Sequence, residues 1–197
     1  MNVHQALADV RALRATLARS RDFPLLSPNY VLFTGLAGGA AAIYQFALGT
    51  ADPPIDRDFV RYWSIQGAVL AGICLISVAG RYLREPSEWS WGILRDTCLL
   101  FVPPLLVGGL LTWLVMLRAP AAMAILPASW ALLFGCAVWS AAAKFPPGMG
   151  GVAIYYFLAG IGLIFTPDAY LSAGMGVAFG GGQLIMGGFL SYVRQTS

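Results

Sequence analysis

The chain has 197 residues, of which 58% are hydrophobic and 11% are charged, and its mean hydropathy is +0.72. A soluble domain carries about 25% charged residues, so this composition excludes an ordinary soluble protein. The net charge of +3 comes from cations that border apolar segments and form no basic stripe with interleaved aromatic residues, so no nucleic-acid partner is predicted.

The first 28 residues precede the long apolar segments and are predicted to form a cytoplasmic or interfacial unit. Apolar residues recur at spacings of three and four through residues 1–23, which predicts a helix with one apolar face that Arg14 interrupts. Two interpretations are open: an amphipathic helix lying in the membrane interface, or a helix packed on its own loops. The length of this segment argues against a secretory signal peptide.

Six apolar runs follow, each near the length of about 20 residues with which a helix crosses a bilayer. They predict an all-α membrane protein with a single bundle of six transmembrane helices over residues 29–197. The runs cover residues 30–50, 60–81, 96–117, 122–143, 149–166 and 170–193.

Lys and Arg are distributed unevenly between the two sides of such a bundle. With six spans, both termini lie on one side, and the positive-inside rule predicts that this side is cytoplasmic. It holds nine cations: Arg11, Arg14, Arg19, Arg21, Arg81, Arg84, Arg95, Lys144 and Arg194. The other side holds three: Arg57, Arg61 and Arg118.

The stretch GMGVAFGGGQLIMGG, residues 174–188, contains seven glycines. A phosphate-binding loop needs Lys and then Ser or Thr after its last glycine, whereas Gly182 is followed by Gln183. Gly176 and Gly180 instead form a GxxxG pair, which predicts close packing of two helices. The alternative is a local break of the helix at residues 180–182, because glycine weakens helices.

Three amides and two prolines lie inside the apolar runs. Gln183 is predicted to hydrogen-bond between helices, and Gln66 and Gln45 are its candidate partners or line the same cavity. Pro103 and Pro104 predict a kink in the third span and a candidate hinge.

The sequence offers little for catalysis. No Asp, Glu, Lys, Arg or His lies near the centre of a span, and the single histidine, His4, precedes the first run. The acids Asp52, Asp56 and Asp58 lie beside two arginines in an outer loop with a Pro-Pro turn, which favours solvated charges over a cation site. The sequence therefore predicts no catalytic residue, no metal site and no cofactor.

The three cysteines all fall inside apolar runs without CxxC spacing. Thiols in such surroundings are usually inert packing residues, so no disulfide is predicted. They are Cys74, Cys98 and Cys136.

Several motifs resemble those of a family of uncharacterised bacterial integral membrane proteins of about 200 residues, often encoded beside winged-helix regulators. The resemblance implies a multi-pass protein of the bacterial inner membrane and a link to a regulator, and it transfers no catalytic residue. The motifs are PPLLVGGLLT (103–112), LPASWALLFGCAVW (126–139), YYFLAGIGLI (155–164) and MGVAFGGGQLIMGGFLSY (175–192).

The sequence has many features that favour helix packing and no predicted catalytic group. This combination favours a non-enzymatic sensor, scaffold or accessory subunit. It would engage a cytoplasmic partner through residues 1–23 and the 81–95 loop, and a membrane protein is the alternative partner. The alternative is a carrier or channel for a small neutral or lipophilic molecule, which could act as a homo-oligomer. Its cavity would be lined by Gln66, Gln183 and the glycine face, with Pro103 and Pro104 as the hinge.

Overall fold

A computed structural model of the chain describes residues 27–47, 55–84, 88–143 and 147–196. Within these ranges every regular element is a helix. The helix expected over residues 1–23 and the acid Asp52 lie outside the described residues. The first five helices are α1 (Pro28–Ala47), α2 (Arg57–Arg84), α3 (Glu88–Arg118), α4 (Leu126–Ala142, preceded by the 3-10 turn Pro120–Ile125) and α5 (Met149–Ile164).

The last helix, α6, has three consecutive parts of different winding. Leu171–Met175 is α-helical, Gly176–Gly181 is π-helical and Gly182–Thr196 is α-helical again. The residues at both junctions keep right-handed helical dihedrals, so the chain runs through the glycine stretch without leaving the helix.

Five of the helices are long and apolar enough to cross a membrane, which indicates a multi-pass membrane protein. The exception is α5, an apolar helix of 16 residues that is shorter than the predicted run 149–166. It ends at Ile164 because Pro167 follows, and a proline disfavours helical dihedrals at the residue before it.

The third span is one continuous helix that contains both of its prolines. A proline has no N–H, so Pro103 and Pro104 leave the carbonyls of Leu99 and Leu100 without their usual helical donors. Pro103 is exposed and Pro104 is half-buried. Their role as a hinge stays a prediction.

The helices are packed to very different extents. Helix α1 packs along α6, α4 packs along α5, and α5 also contacts α6. In the most apolar window of α1, α4 and α6, between 39% and 44% of the residues are buried, whereas the values are 11% for α2 and 17% for α3. Four helices therefore form the core, and α2 and α3 lie largely outside it.

Helix α3 packs along α4, where the ring of Phe101 lies 6.2 Å from that of Phe134, whereas α2 joins the core mainly near one end. Val60 of α2 and Val115 of α3 are buried there in a cluster with Met123 and Leu126. At the opposite ends of the two helices, the rings of Tyr82 and Trp91 pack against each other with centroids 5.7 Å apart.

Candidate functional site

The glycines of α6 form its contact with α1. A Cβ atom built on Gly180 would lie 2.9 Å from the backbone nitrogen of Gly39 and 3.2 Å from the carbonyl oxygen of Gly35. A Cβ on Gly176 would lie 2.5 Å from the Cβ of Ala42. Both members of the GxxxG pair thus lie where only a hydrogen fits, and the two helix backbones approach closely.

The three consecutive glycines contact three different neighbours. Gly180 packs on α1, whereas a Cβ on Gly181 would lie 2.7 Å from the hydroxyl of Tyr155, and a Cβ on Gly182 would lie 2.6 Å from that of Tyr156. Successive helical residues point in directions about 100° apart. The GGG stretch is therefore a helix enclosed on several sides at once.

A tyrosine hydroxyl of α5 hydrogen-bonds to the backbone of the π-helical turn. In π winding an N–H bonds to the carbonyl five residues back, and where the turn ends the N–H of Gly182 donates to the carbonyls of Ala178 and Phe179. The carbonyl of Val177, within this turn, accepts a hydrogen bond from the hydroxyl of Tyr155 on α5.

The neighbouring hydroxyl, on Tyr156, has no hydrogen-bond partner in the described part of the chain. Its residue is 0% exposed and packs among rings, with the Phe134 centroid 4.8 Å away and the Phe179 centroid 6.1 Å away. A buried polar group without a partner is rare and calls for a physical explanation. The Tyr156 hydroxyl lies against Gly182, the residue that directly follows the π-helical turn.

A second polar cluster joins three helices through Gln45, which is buried near the end of α1. Its Oε1 accepts hydrogen bonds from the Nε1 of Trp63 on α2 at 2.7 Å and from the Oγ of Ser172 on α6 at 2.8 Å. Trp63 and Ser172 are also buried. The cluster connects α2, the least buried span, to the core.

The three amides considered from the sequence do not meet in one place. Gln45 bonds to Trp63 and Ser172, while Gln183 and Gln66 are half-buried and make no side-chain hydrogen bond to another described residue. Sequence reasoning singled out Gln45 without its partners, because the indole and the serine lie on other helices at unrelated positions.

Sequence reasoning also missed Tyr155 and Tyr156. The signal for them is a Tyr-Tyr pair in an otherwise apolar run, since buried tyrosine hydroxyls need partners. The partner of Tyr155 is the backbone carbonyl of Val177 in the π-helical turn of α6.

The charged and thiol groups do not gather into a site. No group of three His, Cys, Asp or Glu residues that could hold a metal occurs in the described ranges. Asp56 accepts from the N–H of Phe59 at 2.8 Å at the start of α2, and the Asp58 carboxylate lies 3.7 Å from the Arg61 guanidinium. The three cysteines are free thiols.

The candidate site is therefore a packing and hydrogen-bonding centre along α6. It holds α1 through backbone contact, α5 through the tyrosine pair and α2 through Gln45. Comparisons with protein-family models, with curated proteins and with solved structures find no match.

Proposed function

We propose that this chain is a non-enzymatic integral membrane protein, an accessory, scaffold or sensor subunit that acts by lateral contact with another membrane protein. Its bundle lies in the bacterial inner membrane with both termini in the cytoplasm, in keeping with the distribution of Lys and Arg and with the family resemblance. The partner's contact surface is the pair of helices α2 and α3.

The contrast in burial carries this proposal. Four helices form a core in which glycine contacts, ring contacts and a buried polar cluster are concentrated, whereas α2 and α3 bury 11% and 17% of their most apolar windows. Small residues on such a helix permit close approach of a second helix. A Cβ on Gly67 or Gly72 of α2, or on Gly109 of α3, would meet nothing within 4 Å.

The link between α2 and the core supports a sensor or accessory role. The Trp63 indole on α2 donates to Gln45, which also accepts from Ser172 at the beginning of α6. A partner that moves α2 would therefore act on the same amide that holds α6.

The carrier interpretation has less support from the geometry. It requires Gln66 and Gln183 to line a shared cavity, and they make no hydrogen bond to each other, while Gln45 is engaged in the α1–α2–α6 cluster. A Gln183→Leu variant that abolished flux of a bound small molecule while preserving the fold would establish a carrier.

Native mass spectrometry of the tagged protein, extracted gently from its host's membranes, tests the proposal. A second membrane protein in fixed stoichiometry is the expected result. A monomer or homo-oligomer carrying a small bound molecule would contradict it and favour a carrier.

Two glycine substitutions localise the contact. The double variant Gly67→Leu, Gly72→Leu is expected to lose the partner while its unfolding temperature in detergent stays unchanged, because neither new Cβ meets the chain itself. Gly162→Leu on α5 is the matched control, since its Cβ is equally free. Retention of the partner by the double variant would place the contact elsewhere.

A further inference from the structure

An open groove follows one face of α3 at the end that precedes its apolar span. Its lining residues recur at spacings of three and four from Trp91 to Pro103, so they form a stripe on a single face of the helix. The groove has a volume of about 370 Å³. Two of its walls, Trp91 and Leu99, are 53% and 64% exposed, so the groove opens to the surroundings of the bundle.

The position of Arg95 along α3 places it at the membrane interface. The apolar span begins at Cys98 and covers 21 residues to Arg118. That length is about 32 Å at a rise of 1.5 Å per residue, close to the hydrocarbon thickness of about 30 Å. Arg95 precedes the span by about 4.5 Å. Because the polar layer on each side of a bilayer is about 5–8 Å thick, Arg95 lies in the layer that contains the lipid phosphates.

The groove combines one cation with an apolar floor. Arg95 is exposed and is the one charged residue among the described residues that line the groove. A guanidinium binds phosphate oxygens through two parallel N–H donors. From Cys98 the lining continues into the span through Leu99, Val102 and Pro103, over about 7.5 Å. A cation at the level of the headgroups with an apolar groove next to it matches the two parts of a phospholipid.

We propose that this groove binds one anionic phospholipid, with the lipid phosphate on the Arg95 guanidinium and the first part of an acyl chain along Leu99 and Pro103. Only a segment of one chain enters, since about 370 Å³ is far below the volume of a whole phospholipid. The ammonium group of phosphatidylethanolamine neutralises its own phosphate, whereas phosphatidylglycerol keeps a net negative charge that Arg95 balances. Trp91, one helical turn beyond Arg95, adds an exposed indole of the kind enriched at membrane interfaces.

The lipid site goes beyond the proposed function and does not depend on it. The glycines proposed for contact with a partner, Gly67 and Gly72 of α2 and Gly109 of α3, do not line the groove. Lipid binding is measured on the purified full-length chain alone, so the absence of a partner protein leaves the result unchanged.

Native mass spectrometry of the purified chain in detergent, titrated with lipid, tests the headgroup contact. The probes are phosphatidylglycerol and phosphatidylethanolamine with identical acyl chains, and we expect one phosphatidylglycerol to bind more tightly than any phosphatidylethanolamine. Arg95→Gln is expected to raise the dissociation constant for phosphatidylglycerol about fivefold, the contribution of one basic residue near an anionic surface. Arg118→Gln is the matched control, because Arg118 is an exposed arginine at the other end of the same helix and outside the groove.

Filling the groove tests the position of the acyl chain. Cys98→Phe places a ring on the floor of the groove while Arg95 stays in place, and we expect it to abolish the binding of phosphatidylglycerol. Cys136→Phe on α4 is the matched control, since Cys136 is an exposed thiol in another apolar span. It should bind the lipid as the native chain does.

Three results would overturn the proposal. They are equal dissociation constants of the native chain for the two lipids, equal effects of Arg95→Gln and Arg118→Gln, and binding of phosphatidylglycerol to Cys98→Phe at the native level. The first comparison needs no variant, so it decides the matter even where a substituted chain fails to fold.

Discussion

At the scale of single residues, Gln45 shows how one amide organises this protein. In a membrane a hydrogen bond between helices contributes about 0.6 kcal/mol on average and at most about 1.7 kcal/mol. Gln45 accepts two such bonds, from Trp63 and Ser172, and both donors are buried. Removing the acceptor leaves two buried donors unpaired.

Gln45→Leu is therefore expected to lower the free energy of unfolding by about 1–3 kcal/mol. Gln66→Leu is the matched control, because that amide is half-buried and makes no hydrogen bond to another described residue, and it should change the stability little. Thermal unfolding in one detergent compares the two. Equal effects of both substitutions would refute the role assigned to the cluster.

Gly182→Ala tests the enclosure of the π-helical turn by the tyrosines. The new methyl group would lie 2.5 Å from the Cζ of Tyr156 in a fully buried position, and such overpacking costs about 1–3 kcal/mol. Gly188→Ala in the same helix meets nothing within 4 Å. It should stabilise by about 0.5–1 kcal/mol, the usual difference between the two residues in a helix. Chemical or thermal unfolding of the two variants measures the expected loss of stability in Gly182→Ala and the expected gain in Gly188→Ala.

At the scale of elements, most helices could be predicted from the sequence, because long apolar runs and their flanking charges determine where a helix can cross a bilayer. The run 30–50 corresponds to α1, and the runs 60–81 and 96–117 lie within α2 and α3. The winding of α6 could not be predicted. A glycine pattern indicates that backbones can approach, but which neighbour each glycine meets depends on the packing of α1 and α5.

Gly180→Ala tests the contact between α1 and α6. Its Cβ would lie 2.9 Å from the backbone of α1, so the two helices must move apart, and we expect a loss of about 1–3 kcal/mol. Gly39→Ala changes the other side of the same contact at a position where a Cβ meets nothing within 4 Å. Unfolding temperatures should fall for the first variant alone, and an unaffected Gly180→Ala protein would contradict close packing.

At the scale of the whole molecule, the short helix α5 determines the topology. Its 16 residues extend about 24 Å, whereas the hydrocarbon core of a bilayer is about 30 Å thick. A short span is accommodated by local thinning of the bilayer or by flanking residues that reach the interface. If α5 crosses, the number of spans is six and the C-terminus returns to the side of the N-terminus.

We expect a green fluorescent protein fused after Ser197 to fluoresce and an alkaline phosphatase at the same place to be inactive, because the C-terminus is predicted to be cytoplasmic. A phosphatase inserted between Arg118 and Pro120 is the control and should be active. An active phosphatase after Ser197 would mean that α5 does not cross the membrane.

The three-way enclosure of the GGG stretch has a consequence for genetics. Second-site suppressors of Gly181→Ala should map to Tyr155 and those of Gly182→Ala to Tyr156, since in each case one aromatic side chain occupies the space. A suppressor of Gly180→Ala has no single side chain to shorten, because the obstruction is the α1 backbone at Gly35 and Gly39. Alanine substitutions at these three neighbouring positions would thus differ in whether a second mutation can restore the packing, and in which residue that second mutation changes.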